Sequence, residues 1–329
     1  MMYPWHETQW QLLQAQYRRQ AVHHALLFVG PSGLGKLDCA KSFIQLLLCS
    51  QVSADSSIAC GQCQSCHWYK EGSHPDYFNL TLQDKAKTIK VEQIRQLKEA
   101  LSQTSHQSGY QTVLVQPADA LSQASANALL KTLEEPSGKV VFILVTDHKD
   151  RLPATIISRC QMIPFRMDQL DLAKQWLQQQ PDIDSASIDV LLRAAHGSPL
   201  LALEYASCDY QQTRDALLLQ LQKLSQNQLD PVVVAVAMAK QDVVLLLAIF
   251  IALLSDMLKQ YLQVADNHAI YQDCLPQLQQ FSAQISLAKL FRCFEVASQT
   301  RALLQGNTGI NVQLALESIL IDWIGLTAN

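Results

Sequence analysis

The run Gly30-Pro31-Ser32-Gly33-Leu34-Gly35-Lys36 narrows the folds open to this chain more than any other feature. It follows an apolar stretch, Ala25 to Val29, and leads into a segment with apolar residues at Leu37, Ala40, Ile44 and Leu47-Leu48. A strand, a glycine-rich turn and a helix in that order make a phosphate loop. The glycines let backbone N–H groups curl around phosphate oxygens, the helix N-terminus adds positive potential, and the lysine reaches the outer phosphates. Gly30, Gly33, Gly35 and Lys36 are therefore the candidate nucleotide-binding residues. The loop's chemistry is incomplete. A Ser or Thr should follow the lysine to hold Mg²⁺, and Leu37 offers a hard cation no oxygen. The strand that should end on a carboxylate, Thr112 to Val115, runs instead into Gln116-Pro117-Ala118-Asp119. The expectation is a fold-keeping loop with weak or absent ATP or ADP binding and no hydrolysis of its own. An active site would have to be rebuilt through Asp119, three residues late, or another carboxylate.

Further short apolar runs read as strands at Tyr77–Leu80, Thr112–Val115, Val140–Val145 and Met162–Phe165. Several are apolar on consecutive residues, as strands buried on both faces are. Helical periodicity falls between them at Leu37–Leu48, Val91–Leu101 and Ser122–Glu135, the last stopped by Pro136 and Gly138. This alternation predicts a parallel α/β sheet. Beyond Phe165 the strand signal ends. Three short helices are expected over 168–180, 185–195 and 199–206, then long helical patterns, the last placing Val312, Leu316, Ile319, Leu320 and Trp323 on one face. The predicted organisation is an α/β domain over 1–166, a small helical domain over 167–208 and a helical C-terminal domain over 209–329. With 49% hydrophobic and 16% charged residues there is ample material for cores, and a net charge of -4 argues against a dedicated nucleic-acid-binding module. The apolar run Val243–Leu254 is short for a membrane span and is expected to be a core helix. The first residues carry no export pattern, so a reducing cytoplasm is expected and disulfides are not.

Clustered cysteines then imply a metal. Cys60, Cys63 and Cys66 stand at two-residue spacing, with Cys49 ahead of them at the end of the helix after the phosphate loop. Four thiolates close a tetrahedron with no open position, which suits a structural Zn²⁺ that staples a loop rather than catalyses. His67 or His74 in place of Cys49 is an alternative fourth ligand. An iron–sulfur cluster of ferredoxin spacing would want a further Cys where Lys70 stands.

Three segments, His23-His24-Ala25-Leu26-Leu27, Asn127 to Pro136 and Ser158-Arg159-Cys160, together with the cysteine set behind the phosphate loop, closely resemble the AAA+ subunits of bacterial DNA polymerase III clamp loaders. The resemblance is dense through Arg159 and thin beyond it. It implies an AAA+ phosphate-loop domain with a zinc-binding insertion at about 49–66, a three-helix lid and a C-terminal oligomerisation collar. It also implies that ATP sits between neighbouring subunits and that Arg159, oriented by Ser158, is an arginine finger reaching a neighbour's nucleotide. A guanidinium is always charged and forks onto phosphate oxygens, so the residue type suits that role. Leu200, in Gly197-Ser198-Pro199-Leu200, stands where the family's lids often carry a nucleotide-sensing Arg. The missing Mg²⁺ ligand and carboxylate point to a non-hydrolysing member rather than to the catalytic gamma/tau subunits. The implied partners are the gamma/tau and delta subunits, the sliding clamp and, through the complex, primed DNA, with no membrane. Two rivals make different predictions: an active AAA+ motor would hydrolyse ATP alone, and a metal-sensing or redox module would couple its Cys cluster to activity.

Overall fold

A computed structural model describes residues 2–52, 58–83, 86–102, 109–134, 138–181, 183–265, 268–282, 285–305 and 310–327. The Glu135-Pro136 stop expected for the helix from Ser122 lies outside the described residues. The described chain falls into two compact units, Met1–Trp176 with Ser198–Leu201, and Leu177–Gly197 with Ala202–Asn329.

The first unit is built on five strands, β1 (Ala25–Val29), β2 (Tyr77–Leu80), β3 (Gln111–Val115), β4 (Val140–Thr146) and β5 (Gln161–Pro164). They form one sheet in the order β2-β3-β4-β1-β5, and every pairing is parallel. The consecutive apolar residues of β3 and β4 are buried throughout, because both faces of the sheet are covered. Alternation along β1 divides the core in two. Leu26 and Phe28 pack with Trp10 and Leu13 of α1 (Glu7–Arg18) and Phe43 and Ile44 of α2 (Lys36–Leu48). Ala25 and Leu27 face Ile94 and Leu97 of α4 (Val91–Leu101), Leu129 and Leu133 of α5 (Gln123–Glu134), and Ile156 of α6 (Ala154–Ile157). Between α2 and β2 lies the short helix α3 (Gln64–Lys70). The strand that carries the phosphate loop is thus flanked by β4 and β5, whose carboxyl ends open onto the same edge. That edge is where parallel sheets bind ligands.

Among the described residues, all regular elements after β5 are helices, as the loss of strand signal predicts: α7 (Leu170–Gln178), α8 (Ile188–Ala194), α9 (Pro199–Ser207), α10 (Tyr210–Ser225), α11 (Pro231–Met238), α12 (Val243–Tyr261), α13 (Leu275–Ser282), α14 (Leu287–Gln305) and α15 (Val312–Thr327). In the second unit, Trp323 is 1% exposed, meets the rings of Phe250 and Phe281, and donates its indole N–H to the Leu221 carbonyl at 3.1 Å. Asp256, fully buried, accepts the backbone N–H groups of Ile270 and Tyr271 and an ion pair from Lys259. α12 is long and apolar enough to cross a membrane by length and composition, but 61% of its apolar window is buried inside the fold. Its side chains Leu246, Leu247, Ile249, Phe250, Leu253 and Leu254 form core, which the apolar run foreshadows.

Candidate functional site

The phosphate loop joins β1 to α2 with Gly33 at φ +77° and Gly35 at φ +74°, a region L side chains rarely adopt. Protein atoms crowd both glycines. A Cβ on Gly33 would lie 2.7 Å from the backbone nitrogen of Leu201, and one on Gly35 would lie 2.5 Å from the Tyr3 ring. The first turn of the chain wraps the loop as well. Trp5 donates its indole N–H to the Leu34 carbonyl at 3.0 Å, and His6 Nε2 lies 2.6 Å from the same oxygen. Burial holds the His6 pKa below its ordinary 6.5, so the ring is neutral and donates from Nε2. Leu200 donates its backbone N–H to the Gly33 carbonyl at 3.1 Å.

Lys36 is buried, with its side chain 3% exposed. Its ammonium donates to the Pro31 carbonyl at 2.7 Å and pairs with Asp147 Oδ1 at 2.6 Å. The lysine that would reach for phosphate therefore already holds a carboxylate from the end of β4. Asp119 is engaged too: its Oδ1 accepts the Thr146 hydroxyl at 2.7 Å, and Thr146 Oγ1 accepts the backbone N–H of His148. The acidic groups of this edge thus belong to Thr146 and Lys36. The sequence does not reveal the ion pair or the Trp5 and His6 contacts.

Four sulfurs converge at the far end of α2. Cys49 caps that helix, Cys60 lies in the following loop, Cys63 caps the start of α3, and Cys66 lies within it. Cys49 Sγ is 3.5 Å from Cys60 Sγ and 3.8 Å from Cys63 Sγ, Cys60 and Cys66 are 4.0 Å apart, and all four lie within 4.8 Å of one another. A tetrahedral Zn²⁺ with bonds of about 2.3 Å sets its sulfurs about 3.8 Å apart, so the donor set fits that ion. Backbone N–H groups point at the sulfurs: those of Gln62 and Cys63 reach Cys60 Sγ and hold its thiol below the ordinary value, and that of Cys66 reaches Cys63 Sγ. Burial pushes the Cys49 and Cys66 thiols up, a tendency a bound dication reverses by holding all four as thiolates. No histidine joins the cluster among the described residues. His74, the alternative ligand, is buried elsewhere: Nδ1 accepts the Asp76 N–H, and Nε2 faces Ser65 Oγ at 2.6 Å. Ser65 in turn donates to the Leu48 carbonyl at 2.5 Å, one residue before Cys49. The imidazole therefore braces the module that holds the thiols.

Arg159 follows α6 and keeps its side chain 33% exposed. Nε donates to Glu134 Oε1 at 2.7 Å, Nη2 pairs with the same oxygen, and Nη1 donates to the Thr155 carbonyl at 2.9 Å. Ser158 Oγ lies 3.4 Å from Nη1 and donates to the Thr155 carbonyl, so it lies beside the guanidinium. Phosphate loop, thiol cluster and arginine are thus three separate features of one unit.

A family model described as DNA polymerase III, delta subunit, matches residues 5–169, and one described as its C terminal matches residues 209–325. The DNA polymerase III subunit delta' of Haemophilus influenzae is 33% identical over 96% of this chain and 94% of its own length. That of Pseudomonas aeruginosa is 31% identical over 99% of this chain and 98% of its own length. The subunit tau/gamma of Haemophilus influenzae is 34% identical over 54% of this chain and 26% of its own length. The loss of the Mg²⁺ ligand at Leu37 and of the carboxylate at Gln116 points to the delta-prime branch, and the full-length similarity agrees: the chain belongs to the DNA polymerase III delta' subunit family of clamp-loader proteins.

Proposed function

We propose that this chain is a non-hydrolysing stator of the replicative clamp loader, helping to open the sliding clamp and place it on primed DNA while its own nucleotide site stays idle. The observation that carries the reading is the Lys36–Asp147 ion pair. A phosphate would have to displace a carboxylate from the one cation that the loop offers, with no side chain at Leu37 to bring Mg²⁺. Gly30, Gly33, Gly35 and Lys36 then keep a turn rather than a ligand. Residual ATP or ADP binding is weak or absent.

In this reading the chain acts on ATP only in trans. Arg159, steadied by Ser158, extends its guanidinium toward nucleotide held by a gamma/tau neighbour. Cys49, Cys60, Cys63 and Cys66 hold a structural Zn²⁺. The working parts are an ATPase-like domain over 1–166, a lid over 167–208 and a collar over 209–329 that joins the gamma/tau and delta subunits in the cytoplasm. DNA is met within the complex, in keeping with a net charge of -4.

Steady-state ATP hydrolysis tests the reading directly. The isolated chain with Mg²⁺ and millimolar ATP should show no turnover above background. The assembled loader should lose turnover on Arg159→Ala. Turnover by the chain alone that vanishes in Lys36→Ala would establish the active-motor reading instead. Unchanged turnover of the loader with Arg159→Ala would remove the finger.

A further inference from the structure

The Arg159 guanidinium is gripped within its own chain in a way that leaves one edge open. Of its five N–H groups, Glu134 Oε1 takes those of Nε and one from Nη2, and the Thr155 carbonyl takes one from Nη1. Among the described residues, one N–H remains on each terminal nitrogen, that of Nη1 shared loosely with Ser158 at 3.4 Å. The carboxylate therefore holds the Nε side of the fork, and the two remaining N–H groups lie on the terminal edge, the one suited to bidentate phosphate contact, of a side chain that is one-third exposed.

The anchors of this grip are rigid. Glu134 lies in α5, adjacent to Leu133, which is fully buried. Thr155 lies in α6 beside the fully buried Ile156, and α5 packs against α6. Both contacts on the guanidinium thus come from elements whose backbones are fixed by the sheet core, as precise placement of a functional group requires. The pair itself is half in solvent, with side-chain exposures of 33% and 47%, so its contribution to stability is small. A grip with little value for stability but a defined orientation is a positioning device.

We infer that Glu134 is a positioning residue for Arg159, holding the Nε edge so that the terminal edge is presented, already oriented, to a phosphoryl group on a neighbouring subunit. The inference rests on the reading of Arg159 as a finger. Without Glu134, the long side chain samples other rotamers, and the contact must be organised anew at each turnover. Because a single oxygen accepts both N–H groups, a neutral amide oxygen at the same place can do the same work. A side-chain charge is not essential; an acceptor at that point is.

The test uses loader assembled from full-length chains, with sliding clamp and primed DNA, and follows ATP hydrolysis in a single turnover. The kinetic phase lost in Arg159→Ala defines the site that the finger serves. Glu134→Ala should slow that phase roughly tenfold, well short of the 10³ to 10⁵ that a finger contributes in GTPases. The ATP concentration giving half-maximal rate should not change. Glu134→Gln should restore most of the rate, and Glu134→Ala combined with Arg159→Ala should behave as Arg159→Ala alone. Wild-type rates in Glu134→Ala, with the phase still lost in Arg159→Ala, would overturn the inference and leave the finger standing. A Glu134→Gln variant as slow as Glu134→Ala would also overturn it, since the charge rather than the acceptor would then matter. If Arg159→Ala removes no phase, the finger reading fails and takes the inference with it. Thermal melting of each variant, expected to match wild type, separates positioning from damage to the fold.

Discussion

Replacing Cys63 by Ser should release bound metal and loosen the first unit by an amount that follows from the loop it closes. A metal on these sulfurs would tie Cys49 at the end of α2 to Cys60, 11 residues on, and then to the start of α3 through Cys63 and Cys66. Cross-linking a loop of that length restricts the unfolded chain by about 3 kcal/mol in the chain-entropy account. The closure is coupled to the core rather than isolated from it. Ser65 donates to the Leu48 carbonyl and Tyr69 to the Lys41 carbonyl, so α3 bonds to α2 at two points away from the sulfurs. For a domain of this size, each kcal/mol moves the melting temperature by about 2–4 °C. The variant should therefore melt about 6–12 °C below wild type. The assay pairs metal content, read with a colorimetric chelator after denaturation, against melting followed by near-ultraviolet circular dichroism. Wild type stripped of metal by a chelator should melt where the variant does. A variant that retains a full equivalent of metal would refute the ligand assignment. One that loses metal yet melts with wild type would refute the coupling between the module and α2.

Other perturbations probe the remaining features. Lys36→Ala should leave loader turnover nearly unchanged and lower stability by about 1–3 kcal/mol, since the Pro31 carbonyl loses its donor; a large loss of turnover would show that this nucleotide site works. Trp323→Ala should cost about 3–5 kcal/mol in denaturant unfolding, because a filled site between Phe250 and Phe281 empties and the Leu221 carbonyl loses its indole donor; a cost below 1 kcal/mol would contradict that packing. Acid should weaken the first unit through His6. Burial lowers its folded pKa below 6.5, so the unfolded chain takes up the proton first, and stability falls as pH drops through 6.5 toward the folded value. His6→Gln, which keeps a donor for the Leu34 carbonyl, should flatten the loss measured between about pH 7 and pH 5; an unaltered pH profile would refute the assignment.

Much of the first unit is legible in its sequence because its signals are local. The runs around Ala25, Val113 and Val140 announce buried parallel strands, and the glycine spacing announces the turn after β1. The cysteine spacing narrows the metal ligands but leaves the fourth open. Only in three dimensions do His74's bonds to Ser65 and Asp76 remove it from consideration. The decisive electrostatic contacts are the least legible. Asp147 meets Lys36 because β4 and β1 are neighbours in the sheet, and Glu134 meets Arg159 across a separation of 25 residues. Neither pairing has a periodic or compositional trace. The N-terminal Trp5 and His6 were equally silent, since a single helical turn carries no amphipathic pattern long enough to read. In the second unit, periodicity finds the helices, but it does not tell that Asp256 is spent on the amides of Ile270 and Tyr271.

The clasp of Leu200 on the Gly33 carbonyl has a consequence for how the protein is made. The first unit is not continuous along the chain: after Trp176 it lacks a piece until Ser198–Leu201 supplies it. On a ribosome adding about 5–20 residues each second, the sheet and phosphate loop emerge and must wait a further interval of roughly 1–5 s before their last hydrogen-bond donor is synthesised. A fragment that stops at Trp176 never receives it. Vectorial synthesis therefore leaves the glycine turn unlatched during the period when nascent chains are most exposed to proteases and chaperones.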